Sequence, residues 1–348
     1  MKFLQTGDIF WGARPEAGKS WSRERAADIR TAFAGILEKA REEHADLLLV
    51  AGNLFQGQPS AADLREVNRL FLTAPDTRII LTAGDHDRLM PSSTALSFSF
   101  APNVTLLSEK TSTAVTFRDL GVTVAGFSWT GDTAPGNVPG IPDMPEDGNL
   151  HLFVGQLPAD TPVPASVTYA ALGGCHSHRI FPGNRAGIAG SPEPLSADDP
   201  GEHGILAGEI AADGRVSLSF LPTARASYLE LSFTVTPDTT AAELLRTISA
   251  SIRAHGVNNI YRIRIQGGRH PDETFSFETL ELRCHILDVQ DLSEPQYDFG
   301  SLLAEHPSDM IGFYIRKMRR PGMSPVQKKA LYAGVRALLL TAGERRQP

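Results

Sequence analysis

The run Ala45-Asp46-Leu47-Leu48-Leu49-Val50-Ala51 is apolar almost without interruption and stops at Gly52. A strand with one wet face alternates polar and apolar residues. A run without alternation is a strand buried on both faces, which requires a sheet covered on both sides. The pattern returns at Arg78–Ala83, which ends at Gly84, and a shorter apolar strand spans residues 1–8 and ends at Asp8. Residues 22–43 between the first two runs read as a helix, with Ala32, Phe33, Ile36, Leu37 and Ala40 at helical spacing and Ser22 as its N-cap. Ala61–Leu72 reads as a second amphipathic helix. The opening is therefore strand, helix, strand, helix, strand, and each strand delivers polar residues just past its carboxyl end, where sites form in α/β sheets.

Beyond about residue 100 the texture changes. Thr113–Phe117, Val122–Phe127, Leu150–Val154 and Tyr169–Leu172 read as short strands, and the Gly-, Pro- and Asp-rich stretch 132–148 as a loop. Gly204–Ile210 and Val216–Phe220 predict a hairpin turned at Asp213-Gly214. A second unit starts near Ala226, with strands at Tyr228–Val235, Ile260–Gln266 and Leu280–Val289 and a helix from about Thr240 to His255. Ser324-Pro325 opens a last helix running to about Leu340. We expect domains at 1–225, 226–320 (a small α+β unit) and 321–348 (a C-terminal helix).

A length of 348 residues suits about two domains. No apolar run is long enough to span a membrane, and the N-terminus reads as a strand rather than a signal peptide. Two cysteines far apart, Cys175 and Cys284, exclude a disulfide framework and point to a reducing, cytoplasmic setting. The net charge of −7 weakens any reading as an autonomous, tight DNA binder. It leaves room for a local basic strip. Arg262 and Arg264 alternate on one strand face, and Arg316, Lys317, Arg319, Arg320, Lys328, Lys329 and Arg336 cluster near the end. These form either a solvated face or a contact to DNA or a partner. The last helix also carries Val326, Ala330, Leu331, Val335, Leu338 and Leu339, a stripe that packs on its own protein or on a partner's helices.

Four loops carry the chemistry: Gly7-Asp8-Ile9-Phe10, Gly52-Asn53-Leu54-Phe55-Gln56, Gly84-Asp85-His86-Asp87 and Gly173-Gly174-Cys175-His176-Ser177-His178. A fold that sets strand ends side by side brings them together. Two-metal hydrolysis needs that convergence, because carboxylates and imidazoles must hold two ions ~4 Å apart. Taken alone, Asp8 is as well explained as the cap of a turn and 84–87 as a polar turn. His176 and His178, two apart, suit a loop that sends both to one side, with Cys175 between them facing the core.

The order of these loops resembles the calcineurin-like metallophosphoesterases, whose pattern is Asp-x-His, Gly-Asp-x-x-Asp, Gly-Asn-His-Asp/Glu, a further His, and Gly-His-x-His. The wider match is similar to the SbcD-type DNA-repair exonuclease subunits. It includes Met1-Lys2-Phe3-Leu4, Ala51-Gly52-Asn53-Leu54-Phe55, Tyr169-Ala170-Ala171-Leu172-Gly173, Gly190-Ser191-Pro192-Glu193-Pro194-Leu195 and Gly201-Glu202-His203-Gly204. It covers residues 1–225 well and the remainder weakly. The resemblance implies an α/β sandwich of two β-sheets with helices outside, then an α+β cap and a C-terminal helix that grips the coiled-coil base of an SbcC-type ATPase. It also implies DNA as the substrate, possible homodimerisation and divalent metal, manganese above all.

On the resemblance, the seven ligand positions of that family fall on Asp8, Phe10, Asn53, Asp85, a residue near Gln156, Gly174 and His176. Only Asp8 and His176 are unchanged. Phe10 and Gly174 have no ligand atom, and Asn53 stands where the family has the carboxylate that bridges both ions. A neutral amide offsets none of the repulsion between two dications, so we expect no ordinary two-metal centre. Asp8, Asp85 and His176, helped by Asn53, form the residual set for one ion, and His86 matches the residue that contacts the scissile phosphate. Two functions follow. One is a catalytically impaired, structural or regulatory subunit of a genome-maintenance complex. The other is an active metal-dependent phosphodiesterase with a remodelled site. A scaffold unrelated to DNA is the alternative to both.

Overall fold

A computed structural model of the chain describes residues 1–134 and 136–344, so the last four residues of the expected 321–348 segment lie outside the described residues. The chain divides into two units, Met1–Tyr228 and the residues from Leu229 on.

The first unit begins with β1 (Lys2–Thr6), α1 (Ser22–Glu42), β2 (Leu47–Ala51), α2 (Ala61–Phe71) and β3 (Arg78–Thr82). A short α3 (Thr94–Ser97) and β4 (Val104–Leu106) follow. Then come β5 (Thr113–Phe117), β6 (Val122–Gly126), β7 (Leu150–Gln156) and β8 (Tyr169–Gly173). The unit closes with β9 (Arg179–Ile180), β10 (Ala186–Ile188) and the hairpin β11 (Gly204–Ile210) and β12 (Val216–Pro222). They form two six-stranded sheets, ordered β12-β11-β1-β2-β3-β4 and β5-β6-β7-β8-β10-β9. β1, β2, β3 and β4 run parallel, as do β6, β7 and β8.

The unalternated apolar run of β2 is explained by its two faces. Leu47, Leu49 and Ala51 pack with Phe3, Ile80, Val124, Leu152 and Val154 between the sheets. Leu48 and Val50 pack outward against Phe33, Ile36 and Leu37 of α1 and Leu64 and Val67 of α2. This is the expected two-sheet sandwich, with one difference in its covering. The outer face of the second sheet is closed by loop residues such as Ile141, Leu157 and Val167 packed on Phe153 and Leu172.

Two local expectations are corrected. Ser22 is not the cap of α1: Trp21 holds that position, and the Ser22 hydroxyl donates to the Pro15 carbonyl at 2.7 Å. Cys175 is exposed rather than in the core, because the strand ends at Gly173 and the alternation of strand faces no longer applies.

In the second unit β13 (Tyr228–Val235), β14 (Ile260–Arg269) and β15 (His285–Asp291) form a sheet, with β16 (Glu294–Pro295) paired to the end of β14. α4 (Ala241–His255) lies on one face, its Leu244, Ile248 and Ile252 against Tyr261, Ile263 and Ile265. Thr240 caps it, with Glu243 reaching back in a reciprocal capping box. The strand expected from Leu280 starts later, since residues 278–281 form the short α5 (Glu278–Glu281), and Cys284 is half-buried just ahead of β15. Three further helices follow: α6 (Phe299–Glu305), α7 (Met310–Met318) and α8 (Pro325–Glu344). α6 and α7 are not among the expected elements, although Asp298 and Asp309 cap them and Ile311, Ile315 and Met318 stand at helical spacing. They share one core with α8, built on Tyr297, Ile311, Ile315, Leu331 and Val335. Of the α8 stripe, Leu331, Val335, Leu338 and Leu339 are thus occupied within their own chain, while Val326 and Ala330 stay exposed. Among the described residues no helix is long and apolar enough to cross a membrane.

Candidate functional site

The four loops do converge. Asp8 follows β1, Asn53 follows β2 and Asp85 follows β3 on the first sheet. Gln156 ends β7 and Gly174 follows β8 on the second. The turns are sharp. Asp8, Phe10 and Asn53 all have positive φ (47°, 52° and 51°), as do Gly52 and Gly174. Left-handed conformation at non-glycine residues clusters where surrounding structure holds a functional loop in place.

At the centre is Asn53, 2% exposed. Its Nδ2 donates one hydrogen bond to Asp8 Oδ1 at 2.8 Å and one to Asp85 Oδ1 at 2.9 Å. Its Oδ1 accepts from the His86 backbone N–H at 2.9 Å. Gln156 repeats the arrangement: Nε2 donates to Asp85 Oδ1 at 2.8 Å, and Oε1 accepts from the Asp85 N–H at 2.7 Å. A backbone N–H can only donate, so each contact fixes which end of the amide is oxygen and leaves the NH₂ facing the carboxylates. Asp8 Oδ2 is closed by the Gly174 N–H at 2.9 Å.

The electrostatics follow. Burial lifts the Asp8 carboxyl above its ordinary value against the hydrogen bonds of Asn53 and Gly174. At Asp85 burial works in the same direction, but the bonds from Gln156 and Asn53 outweigh it and the carboxyl lies below its ordinary value. The hydrogen bond to Asp199 raises His176; its Nδ1 lies 2.9 Å from Asp199 Oδ1.

Phe10 is buried between two imidazoles. Its ring meets His86 edge-on at 4.9 Å between centroids and His176 at 5.3 Å. His86 is exposed at the rim. His178 does not join this group: it stacks on Phe220 at 3.8 Å, and its Nδ1 lies 3.3 Å from the Glu202 carbonyl. The residues between 174 and 178 form a loop rather than a strand, so the two histidines part.

A metal pair does not fit this donor set. Nδ2 of Asn53 points an N–H, not a lone pair, at the space between the carboxylates. Phe10 and Gly174 offer no ligand atom, and the two amide oxygens are already taken by backbone N–H groups. Among the described residues no group of three or more His, Cys, Asp or Glu is placed to hold an ion. The space is also filled. A Cβ on Gly174 would lie 2.6 Å from Gln156 Cγ, and one on Gly84 would collide with Asn53 Oδ1 and Gln156 Oε1. The glycines and the two amides fit each other.

Two participants were missed in the sequence. Asp199 orients His176 from a loop 23 residues away, and no spacing signals it. Asp87 is buried and accepts from the N–H groups of Gly84 at 2.6 Å and Phe55 at 3.1 Å, which ties the third loop to the second. Its place as the last residue of Gly-Asp-His-Asp was visible, but not its role.

Residues 1–142 match the family described as calcineurin-like phosphoesterase. The match covers part of the first unit, whose two-sheet sandwich with loops at its strand ends is consistent with a metallophosphoesterase fold. Among solved structures, TT1561 of Thermus thermophilus is similar at 12% identity and a TM-score of 0.33, over 63% of this chain and 98% of that one. No curated protein matches the chain.

Proposed function

We propose that this chain is a non-catalytic, SbcD-like subunit of a genome-maintenance complex, with a structural or regulatory role beside a coiled-coil ATPase of the SbcC type. The observation that carries the loss of catalysis is the Asn53 amide, which donates to Asp8 and Asp85 where a dinuclear hydrolase needs a bridging carboxylate. The SbcD-type assignment rests on the ordered motifs of residues 1–225. A helical surface in the second unit supports a protein partner. Met310, Phe313 and Val326 are exposed, and basic residues Arg316, Lys317, Arg319, Lys328 and Lys329 surround them in sequence. Exposed apolar anchors amid one sign of charge suit an acidic amphipathic helix. The expected basic face of β14 supports DNA contact less, since Arg262 pairs with Asp288 at 2.8 Å and Arg264 with Glu230 at 3.3 Å.

The competing reading is a phosphodiesterase that uses one ion on Asp8, Asp85 and His176, with manganese the first candidate. Two assays separate them. Purified protein with manganese and a model phosphodiester or DNA is expected to show no turnover above that of Asp8→Ala. Mixed with the SbcC-type ATPase of its own organism, it is expected to elute as one complex, which Phe313→Asp with Val326→Asp disrupts. Manganese-dependent hydrolysis removed by Asp8→Ala would sink the non-catalytic reading. Failure to bind the ATPase would sink the assignment to such a complex.

A further inference from the structure

The amides at the site span both sheets. Asp8, Asn53 and Asp85 stand at the carboxyl ends of β1, β2 and β3. Gln156 and Gly174 stand at the corresponding ends of β7 and β8 on the other sheet. Five hydrogen bonds of 2.7–2.9 Å join them: Asn53 to Asp8, Asn53 to Asp85, Gln156 to Asp85, the Asp85 N–H back to Gln156, and the Gly174 N–H to Asp8. In a two-metal hydrolase of this fold the ions cross-link such loops, because each carboxylate is drawn to a cation. Here each carboxylate is drawn to amide N–H groups instead.

We propose that Asn53 and Gln156 form a carboxamide clasp that replaces the cations, Asn53 tying together the three loops of the first sheet and Gln156 tying them to the second, so that the site is fully assembled without metal. This rests on the non-catalytic reading above and says what the site does instead. Asn53 is the positioning residue: its two N–H groups each hold one carboxylate, and its carbonyl oxygen holds the His86 turn. Gln156 is the second jaw, seated against Gly84 and Gly174, where any side chain would displace it.

The closeness of the carboxylates makes the clasp testable. Exchanging Asn53 for Asp keeps the shape but removes both donors and sets a third carboxylate against the buried Asp8 and the half-buried Asp85, which must repel it. The measurement is the melting temperature of the full chain in EDTA and in millimolar manganese chloride, for wild type, Asn53→Asp and Gln156→Glu. Wild type is expected to melt at the same temperature in both. Asn53→Asp is expected to melt lower in EDTA by roughly 5 °C or more. It should regain stability in manganese, and also as pH is lowered toward 4, where protonation restores a donor. That pH recovery is absent if residue 53 merely fills space. Gln156→Glu, which brings one new charge to Asp85 alone, is expected to show the same signs with smaller size, and it serves the test if Asn53→Asp does not fold.

A wild-type melting temperature raised by manganese, with the rise lost in Asp8→Ala, overturns the clasp and the non-catalytic reading together. A manganese-insensitive wild type whose two variants are as stable as itself in EDTA overturns the clasp alone.

Discussion

Asp87 and Asp85 sit two residues apart in one loop and titrate in opposite directions. Burial pushes Asp87 up to about 6, although it accepts from Gly84 and Phe55, whereas the amides pull Asp85 down. A carboxyl with a raised folded pKa contributes its stability fully below the unfolded value near 3.8 and loses it as pH rises through about 6. The stability advantage of wild type over Asp87→Asn, which does not titrate, should therefore shrink by roughly 2 kcal/mol between pH 4 and pH 7. Urea unfolding at the two pH values measures it, and an advantage that grows with pH would refute the assignment. At this scale the sequence announced the positions better than the partnerships. A glycine after each apolar strand marked where Asp8, Asn53, Asp85 and His176 would be found. That Asn53 donates to two carboxylates, or that Asp199 holds His176, depends on contacts between loops 23 to 45 residues apart that no local pattern encodes.

The helix α1 shows the same division among elements. Its apolar spacing was legible, and Ile36 and Leu37 are fully buried as that spacing required. Its tie to the rest of the unit was not. Arg25, also fully buried, donates to Glu193 at 2.9 Å, to the Pro194 carbonyl at 3.1 Å and to Asp28 at 2.7 Å. Glu193 also accepts from the Arg225 N–H at 2.6 Å, which joins α1, the Gly-Ser-Pro-Glu turn and the segment after β12. Removing one member of a buried pair leaves an uncompensated charge, so Arg25→Met is expected to cost about 3–5 kcal/mol. Arg25→Met with Glu193→Gln should cost less than Arg25→Met alone. A double variant less stable than the single would show that the charge of Glu193 is not the cause. Strand alternation and helical spacing report only what each element does alone. Hence α6 and α7, short and standing next to loops, are recognised only through the core they share with α8.

Across the whole molecule the apolar residues sort into separate cores. The sandwich clusters lie within residues 1–228, and the clusters of the α4 sheet and of α6–α8 lie beyond. Calorimetry should then depart from a single two-state transition. Ile263→Ala, at a cost of about 2–5 kcal/mol to the second unit, should lower one transition and leave the other in place. One transition that shifts as a whole would contradict this. Charge is also unevenly spread. Between Met310 and Glu344 seven basic residues face a single acidic one in a chain of net charge −7, so the remainder is more acidic than the total suggests.

The fit between Asn53, Gln156 and the glycines at 84 and 174 bears on how this site can be redesigned. An aspartate at 53 alone sets three carboxylates together with no ion to reconcile them. A histidine at 174 alone is driven into Gln156, on a backbone turned to φ 90° where side chains are rarely tolerated. Each change is unfavourable while the other residues stay as they are. An engineer who wants a metal centre here must therefore exchange the whole set at once, because the amides and the glycines behave as one interlocked part rather than as four independent positions.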